Sequence, residues 1–261
     1  MRNPFCFLLL AATLAVCIFS PTYARAPART VHVVVALCDN AHQGIVPVPS
    51  RLGDGDDPAG NLYWGAAYGV KTFMRKQAGW RSIRSEKTSG SILERIILRN
   101  EALNVTMVAD AWQGKMIMNA TAAFLAYASG QHAMKIALDG KTVRAGGHAD
   151  LVVYVGHNGL MDFPRSALPP VRPSEPRPSA AAVFACQSKS YFADALREAG
   201  SRPLIWTRGN MAPEAYTLHA LITAWGKGEK DEAVREAVAR AYDAYQKCGL
   251  KGARNLFATG W

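Results

Sequence analysis

Three places along the chain carry side chains that could do covalent chemistry, each directly after an apolar run. Cys38-Asp39-Asn40 follows Val31-His-Val-Val-Val-Ala-Leu37. His157-Asn158-Gly159 follows Leu151-Val-Val-Tyr-Val-Gly156, and Cys186-Gln187-Ser188 follows Ala181-Ala-Val-Phe-Ala185. A thiol and an imidazole brought together supply a nucleophile and the group that moves its proton. Cys186 directly precedes an expected helix, where the positive end of the dipole favours thiolate. Gly156 and Gly159 flank His157 and let the backbone approach a substrate, so that free N–H groups there could hold an oxyanion. Cys38 is the rival nucleophile, against a structural reading as a small buried hydrophobe.

These residues need a scaffold that brings strand ends together. Expected strands fall at 31–37, 103–109, 151–156, 181–185 and 203–207, with a short one at 80–84. Expected helices fall at 62–77, 115–129, 188–199, 213–225 and 230–247. A further helix is expected at 92–100, where Ser89 or Ser91 could cap it and Leu93, Ile96 and Ile97 share a face. The last helix carries the stripe Val234, Val238, Ala241 and Tyr245. Strands alternating with helices imply an α/β fold, a single domain with a mostly parallel sheet flanked by helices on both faces. In such a sheet ligands bind outside the carboxyl ends of the strands, where the three reactive clusters stand. The Pro-rich segment 164–179 reads as an extended, exposed loop within that domain, a flap near the site.

Of 261 residues, Phe5–Phe19 form an apolar stretch behind Arg2, ended by Pro21 and followed by Ala24-Arg25-Ala26. That pattern reads as a signal peptide over 1–26, leaving a domain at 27–261 that is exported, periplasmic or extracellular, with no membrane association after signal removal. The formal net charge of +10 then falls to +8 with the loss of Arg2 and Arg25. The remaining Lys and Arg are dispersed along the chain, so no nucleic acid partner is expected. Cys38, Cys186 and Cys248 remain, too few for a disulfide framework, although a Cys38–Cys248 bridge is one outcome the sequence leaves open. No metal site is expected: the histidines have no ligand spacing, and Asp54-Gly-Asp56-Asp57 lacks the Glu of a calcium loop. No phosphate loop, dinucleotide fingerprint or Gly-x-Ser-x-Gly elbow is present, so no cofactor is expected either.

The blocks ending in His157-Asn-Gly159 and Ala185-Cys186 resemble the caspase-like cysteine peptidases, the group of caspases, legumains and gingipains. Those proteins share an apolar strand ending in His-Gly and a second ending in Ala-Cys. The resemblance implies a caspase-like fold, a Cys186/His157 dyad acting on a peptide or protein substrate, and an oxyanion held at Gly159 and Cys186. It further implies that Asn40 orients the imidazole, as an Asn does in legumain-like members. The chain departs from the family where Asn158 separates His157 from Gly159. On that departure stands a second reading, a non-catalytic exported binding or assembly domain on the same fold.

Overall fold

A computed structural model describes residues 28–261 except 139, 177 and 179. The signal peptide expected over 1–26 lies outside the described residues.

The chain opens with β1 (Arg29–Ala36), a short α1 (Val70–Lys76), and the strands β2 (Trp80–Lys87), β3 (Ile92–Asn100) and β4 (Val105–Trp112). Next come α2 (Ile117–Ala128), the hairpin β5 (Ala133–Leu138) and β6 (Lys141–Gly146), and β7 (Leu151–Val155). The remainder comprises β8 (Ala180–Phe184), α3 (Ser188–Glu198), β9 (Pro203–Thr207), α4 (Ala215–Gly226), α5 (Asp231–Gln246), α6 (Leu250–Leu256) and β10 (Phe257–Ala258). Eight strands form one sheet in the order β10-β9-β8-β7-β1-β4-β3-β2. The central pairs β4–β1, β1–β7, β7–β8 and β8–β9 are parallel, and the pairs at both margins are antiparallel. This is the expected single α/β domain with a mostly parallel sheet.

Burial on both faces explains the composition of the central strands. Val31, Val33 and Val35 join one core with α1, α4 and α5, while Val34 and Ala36 join another with α2 and α3. All four valines between Val31 and Val35 are inaccessible to solvent. Their branched side chains suit a pleated surface, and no polar face interrupts the run. Beyond α2, the hairpin β5–β6 covers the rest of that face and packs Ile136 and Val143 around Ile97 and Val108.

Several expected elements differ from those observed. Residues 92–100 form a strand rather than a helix, pairing with β2 on one side and β4 on the other. Leu93, Ile96 and Ile97 fit helical spacing, but Glu94, Ile96 and Leu98 alternate equally well and are buried on one side of the sheet. Antiparallel pairing with the preceding and following strands, on both edges, decides between the two. Only 70–76 of the expected 62–77 helix is helical, because the carbonyl of Asn61 accepts the N–H groups of Trp64, Gly65 and Ala66 and draws the residues after it into turns. In α5 the buried stripe is Val234, Val238 and Tyr242, whereas Tyr245 is exposed. The Pro-rich segment is partly packed: Leu168 and Val171 are buried, Arg165 pairs with Glu198, and Ser174 N–H donates to Ser129 O.

His32 lies in the middle of β1 with no exposure. Its Nε2–H donates to Asp110 Oδ2 at 3.1 Å, and its Nδ1 accepts the N–H of Gly146 at 2.7 Å. Arg95 completes the group with two bonds to the Asp110 carboxylate, at 2.6 and 2.7 Å. Burial pushes the Asp110 carboxyl up, but the bonds from Arg95 and His32 overcome it and hold it below its ordinary value. Asp110→Ala leaves Arg95 without its counter-charge, and we expect a loss of about 3–5 kcal/mol in chemical denaturation. Because the folded value is the lower one, this stabilisation is complete above roughly pH 4 and disappears as pH falls through the folded value. A variant as stable as the parent at neutral pH would contradict that role.

Candidate active site

β7 ends at Val155, and Gly156 turns the chain with φ +147°. A Cβ there would lie 2.7 Å from Ala36 O, so only glycine lets β7 leave the sheet against β1. His157 and Asn158 follow, then a 3₁₀ turn over Gly159–Met161. Asn158 Oδ1 accepts Leu160 N–H at 3.1 Å and starts that turn. The turn brings Asp162 back onto the imidazole, where His157 Nε2–H donates to Asp162 Oδ2 at 2.9 Å. Gly44 N–H donates to the same oxygen at 3.1 Å, and Tyr154 Oη–H donates to the carbonyl of His157 at 2.8 Å. With Nε2 bonded to a carboxylate, Nδ1 is the ring nitrogen left for a substrate or nucleophile.

β8 ends at Phe184, and Ala185-Cys186 lead to Gln187, which adopts the left-handed conformation at φ 50° before α3. Cys186 therefore stands one residue outside the helix cap. The first helical N–H, on Ser188, is taken by Thr207 Oγ1 at 3.1 Å. Cys186 Sγ accepts the N–H of Met211 at 3.4 Å and donates to Met211 O at 3.5 Å. A backbone donor thus faces the sulfur where the helix dipole was expected to act. The hydroxyls of Ser188 and Thr207 lie 3.1 Å apart, and Ser188 Oγ–H bonds to Val183 O, so this corner is fastened to β8 and β9.

Register brings the two reactive residues to one edge. Val155 is opposite Phe184, so His157 and Cys186 each stand two residues beyond a paired position on adjacent parallel strands. Asn158 Nδ2–H donates to Cys186 O at 2.7 Å and ties the two loops directly. His157 is buried and Cys186 half-buried. Among the described residues the imidazole bonds to Asp162 and the sulfur to Met211, with no bond between them. The peptide N–H groups of Gly159 and Cys186 have no partner among the described residues. Gly159 is confined for another reason, since a Cβ on it would meet the Phe163 ring at 2.7 Å.

Asn40 does not reach the imidazole. Its Nδ2–H donates to Val48 O at 2.7 Å and its Oδ1 accepts Val48 N–H at 3.0 Å, which shapes the loop after β1. The residue bonded to the ring is Asp162, five positions after His157, and nothing in the sequence marked it. Cys38 is fully buried, and Asn61 clamps its peptide groups at 3.1 and 2.8 Å. Burial pushes its thiol up to about 11, against a lowering bond to Tyr63. Cys38, Cys186 and Cys248 are all free, so the Cys38–Cys248 bridge is not formed. The carboxylates of Asp54 and Asp57 accept N–H groups of their own turn. No group of three His, Cys, Asp or Glu that could hold a metal occurs among the described residues.

The differing states of the three cysteines can be read by alkylation. At pH 8 iodoacetamide should modify Cys248 and Cys186 in the folded protein and spare Cys38 until denaturant is added, as peptide mass mapping would show. Modification of Cys38 at the rate of Cys186 would contradict its burial. Compared with protein-family models, curated proteins and solved structures, the chain matches none.

Proposed function

We propose that the chain is an exported cysteine hydrolase, a caspase-like peptidase in which Cys186 is the nucleophile and His157 the general base and acid. The observation that carries this reading is the in-register exit of His157 and Cys186 from neighbouring parallel strands, with Asp162 holding the far nitrogen of the ring. A strand order of β4-β1-β7-β8-β9 with an antiparallel β10 beyond it supports the caspase-like arrangement. Asp162 takes the orienting role that the resemblance gave to Asn40.

In this mechanism His157 Nδ1 takes the Cys186 thiol proton, and the sulfur adds to the carbonyl carbon of a peptide bond. The oxyanion is met by the N–H groups of Gly159 and Cys186. The imidazolium returns its proton to the departing amine, leaving a thioester on Cys186. Water then gives a proton to Nδ1 and adds to the thioester, releasing the acid and restoring the thiol. Asp162 keeps Nε2 protonated throughout, so that Nδ1 stays available as base. For the first step the Cys186 thiol must exchange its contact with Met211 for one with the ring.

That contact is also the observation favouring the second reading, a non-catalytic binding or assembly domain in which Asn158 and Met211 hold Cys186 away from the imidazole. Labelling with a peptidyl acyloxymethyl ketone separates the two. The enzyme reading expects one adduct at Cys186 and loss of peptidase activity in Cys186→Ala. An unlabelled Cys186, or undiminished turnover in that variant, would end it. Asp162→Asn should lower kcat by about 10²–10⁴-fold with little change in KM, because the tautomer rather than substrate binding is disturbed. An equal rise in KM at constant kcat would instead assign Asp162 to substrate binding.

A further inference from the structure

The amino ends of β1 and β4 lie at the opposite edge of the sheet from His157 and Cys186. Between that edge and the hairpin β5–β6 opens a cavity of about 460 Å³. Its wall gathers basic residues that are far apart in the chain: Arg81 from β2, Arg99 from β3, and Lys141 and Arg144 from β6. Arg81 and Arg99 are directly opposite each other in the β2–β3 pairing, an arrangement that costs stability unless an anion lies between the charges. Glu101 is the one carboxylate among the described lining residues, and it pairs with Arg99 at 3.1 Å. Arg144 stands 3.7 Å from Asp150. Arg81 and Lys141 are exposed and have no ion pair among the described residues.

Arg99 is held in place as a donor. Its guanidinium bonds to Asn104 Oδ1 at 2.6 Å and to Thr106 Oγ1 at 3.3 Å, and its side chain is 13% exposed. Ile83, Leu138 and Val143 give the same cavity an apolar part. One fixed cationic donor, Arg99, with the exposed charges of Arg81 and Lys141 around it and apolar surface beside it, in a volume of this size, suits a small ligand with one anionic group on a compact apolar body.

We propose that this cavity binds a small organic anion, a phosphate or sulfate ester with a short apolar group, with Arg81, Arg99 and Lys141 as its charge partners. The site is separate from the sheet edge that carries Cys186 and does not depend on the function assigned there.

Isothermal titration of the protein with phenyl phosphate, in buffer of low ionic strength, tests the assignment. Saturable binding is expected, with inorganic phosphate at least about tenfold weaker and benzyl alcohol without measurable binding. The double variant Arg81→Ser/Lys141→Ser should lose at least about tenfold in affinity, whereas Arg81→Lys, which retains the charge, should lose less. Both side chains are exposed, and far-UV circular dichroism would confirm that the variants are folded. Absence of phenyl phosphate binding, or equal affinity in the double variant, overturns the proposal. Equal binding of inorganic phosphate overturns the role of the apolar part, and a single-stranded oligonucleotide that outcompetes phenyl phosphate would make the surface a site for polymeric anions instead.

Discussion

Parallel pairing of β7 with β8, one residue opposite one residue up to Val155 and Phe184, sets the height at which both chains leave the sheet. Much else at the candidate site follows from it. The strands are covered on both faces, so a reactive polar group inside them would lose its water and need a built partner. The thiol and the imidazole therefore stand at the first residues past the ladder, where backbone groups stop pairing. A slip of one residue would place His157 and Cys186 at different heights and turn every side chain of β8 to the opposite core. The contrasting occupants of the two cores oppose such a slip: Phe184 packs with Phe257 on one side, and Val183 lies in the core with Phe124 and Phe192 on the other.

Beyond the ladder, the loops are fastened by side chains more than by their own backbone. Asn158 serves both sides of the cleft, with its oxygen on the turn after His157 and its amide on Cys186. Asp162 joins two parts of the chain, since it holds the imidazole of its own loop and receives the loop after β1 through Gly44. Cys38 stands two residues past the end of β1 but in a different environment. Complete burial makes it a packing element, and its raised value keeps it uncharged.

The elements most legible in the sequence are those buried on both sides. Val31–Leu37, Leu151–Gly156, Ala181–Ala185 and Pro203–Thr207 form continuous apolar runs because no solvent face requires polar residues, and each is a strand within a residue or two. β3 is ambiguous in sequence because Ile96 belongs both to a helical set with Leu93 and Ile97 and to an alternating set with Glu94 and Leu98, and antiparallel pairing with the strands before and after it makes the choice. The hairpin β5–β6 carries a period of two in Met134, Ile136 and Leu138, with Gly140 at φ 73° in its turn, a signal too short to assign an element between the expected helix 115–129 and the strand 151–156. Placement of His157 and Cys186 at neighbouring strand ends was readable from pattern alone. The partners Asp162 and Met211 were not, because their contacts are made by turns whose paths depend on tertiary packing.

Asp110 has a consequence for how this sequence can change. Its carboxylate answers Arg95 on β3 and His32 on β1, and His32 in turn holds the N–H at the end of β6. A neutral residue at 110 strands a cation, an aliphatic residue at 95 strands an anion, and either change alters what His32 must do. Single substitutions therefore pass through a less stable protein, while a joint replacement of all three by apolar residues of matching volume need not. The three positions form one unit of variation spread over three strands, and a lineage that alters one of them is expected to alter the others or to keep them all.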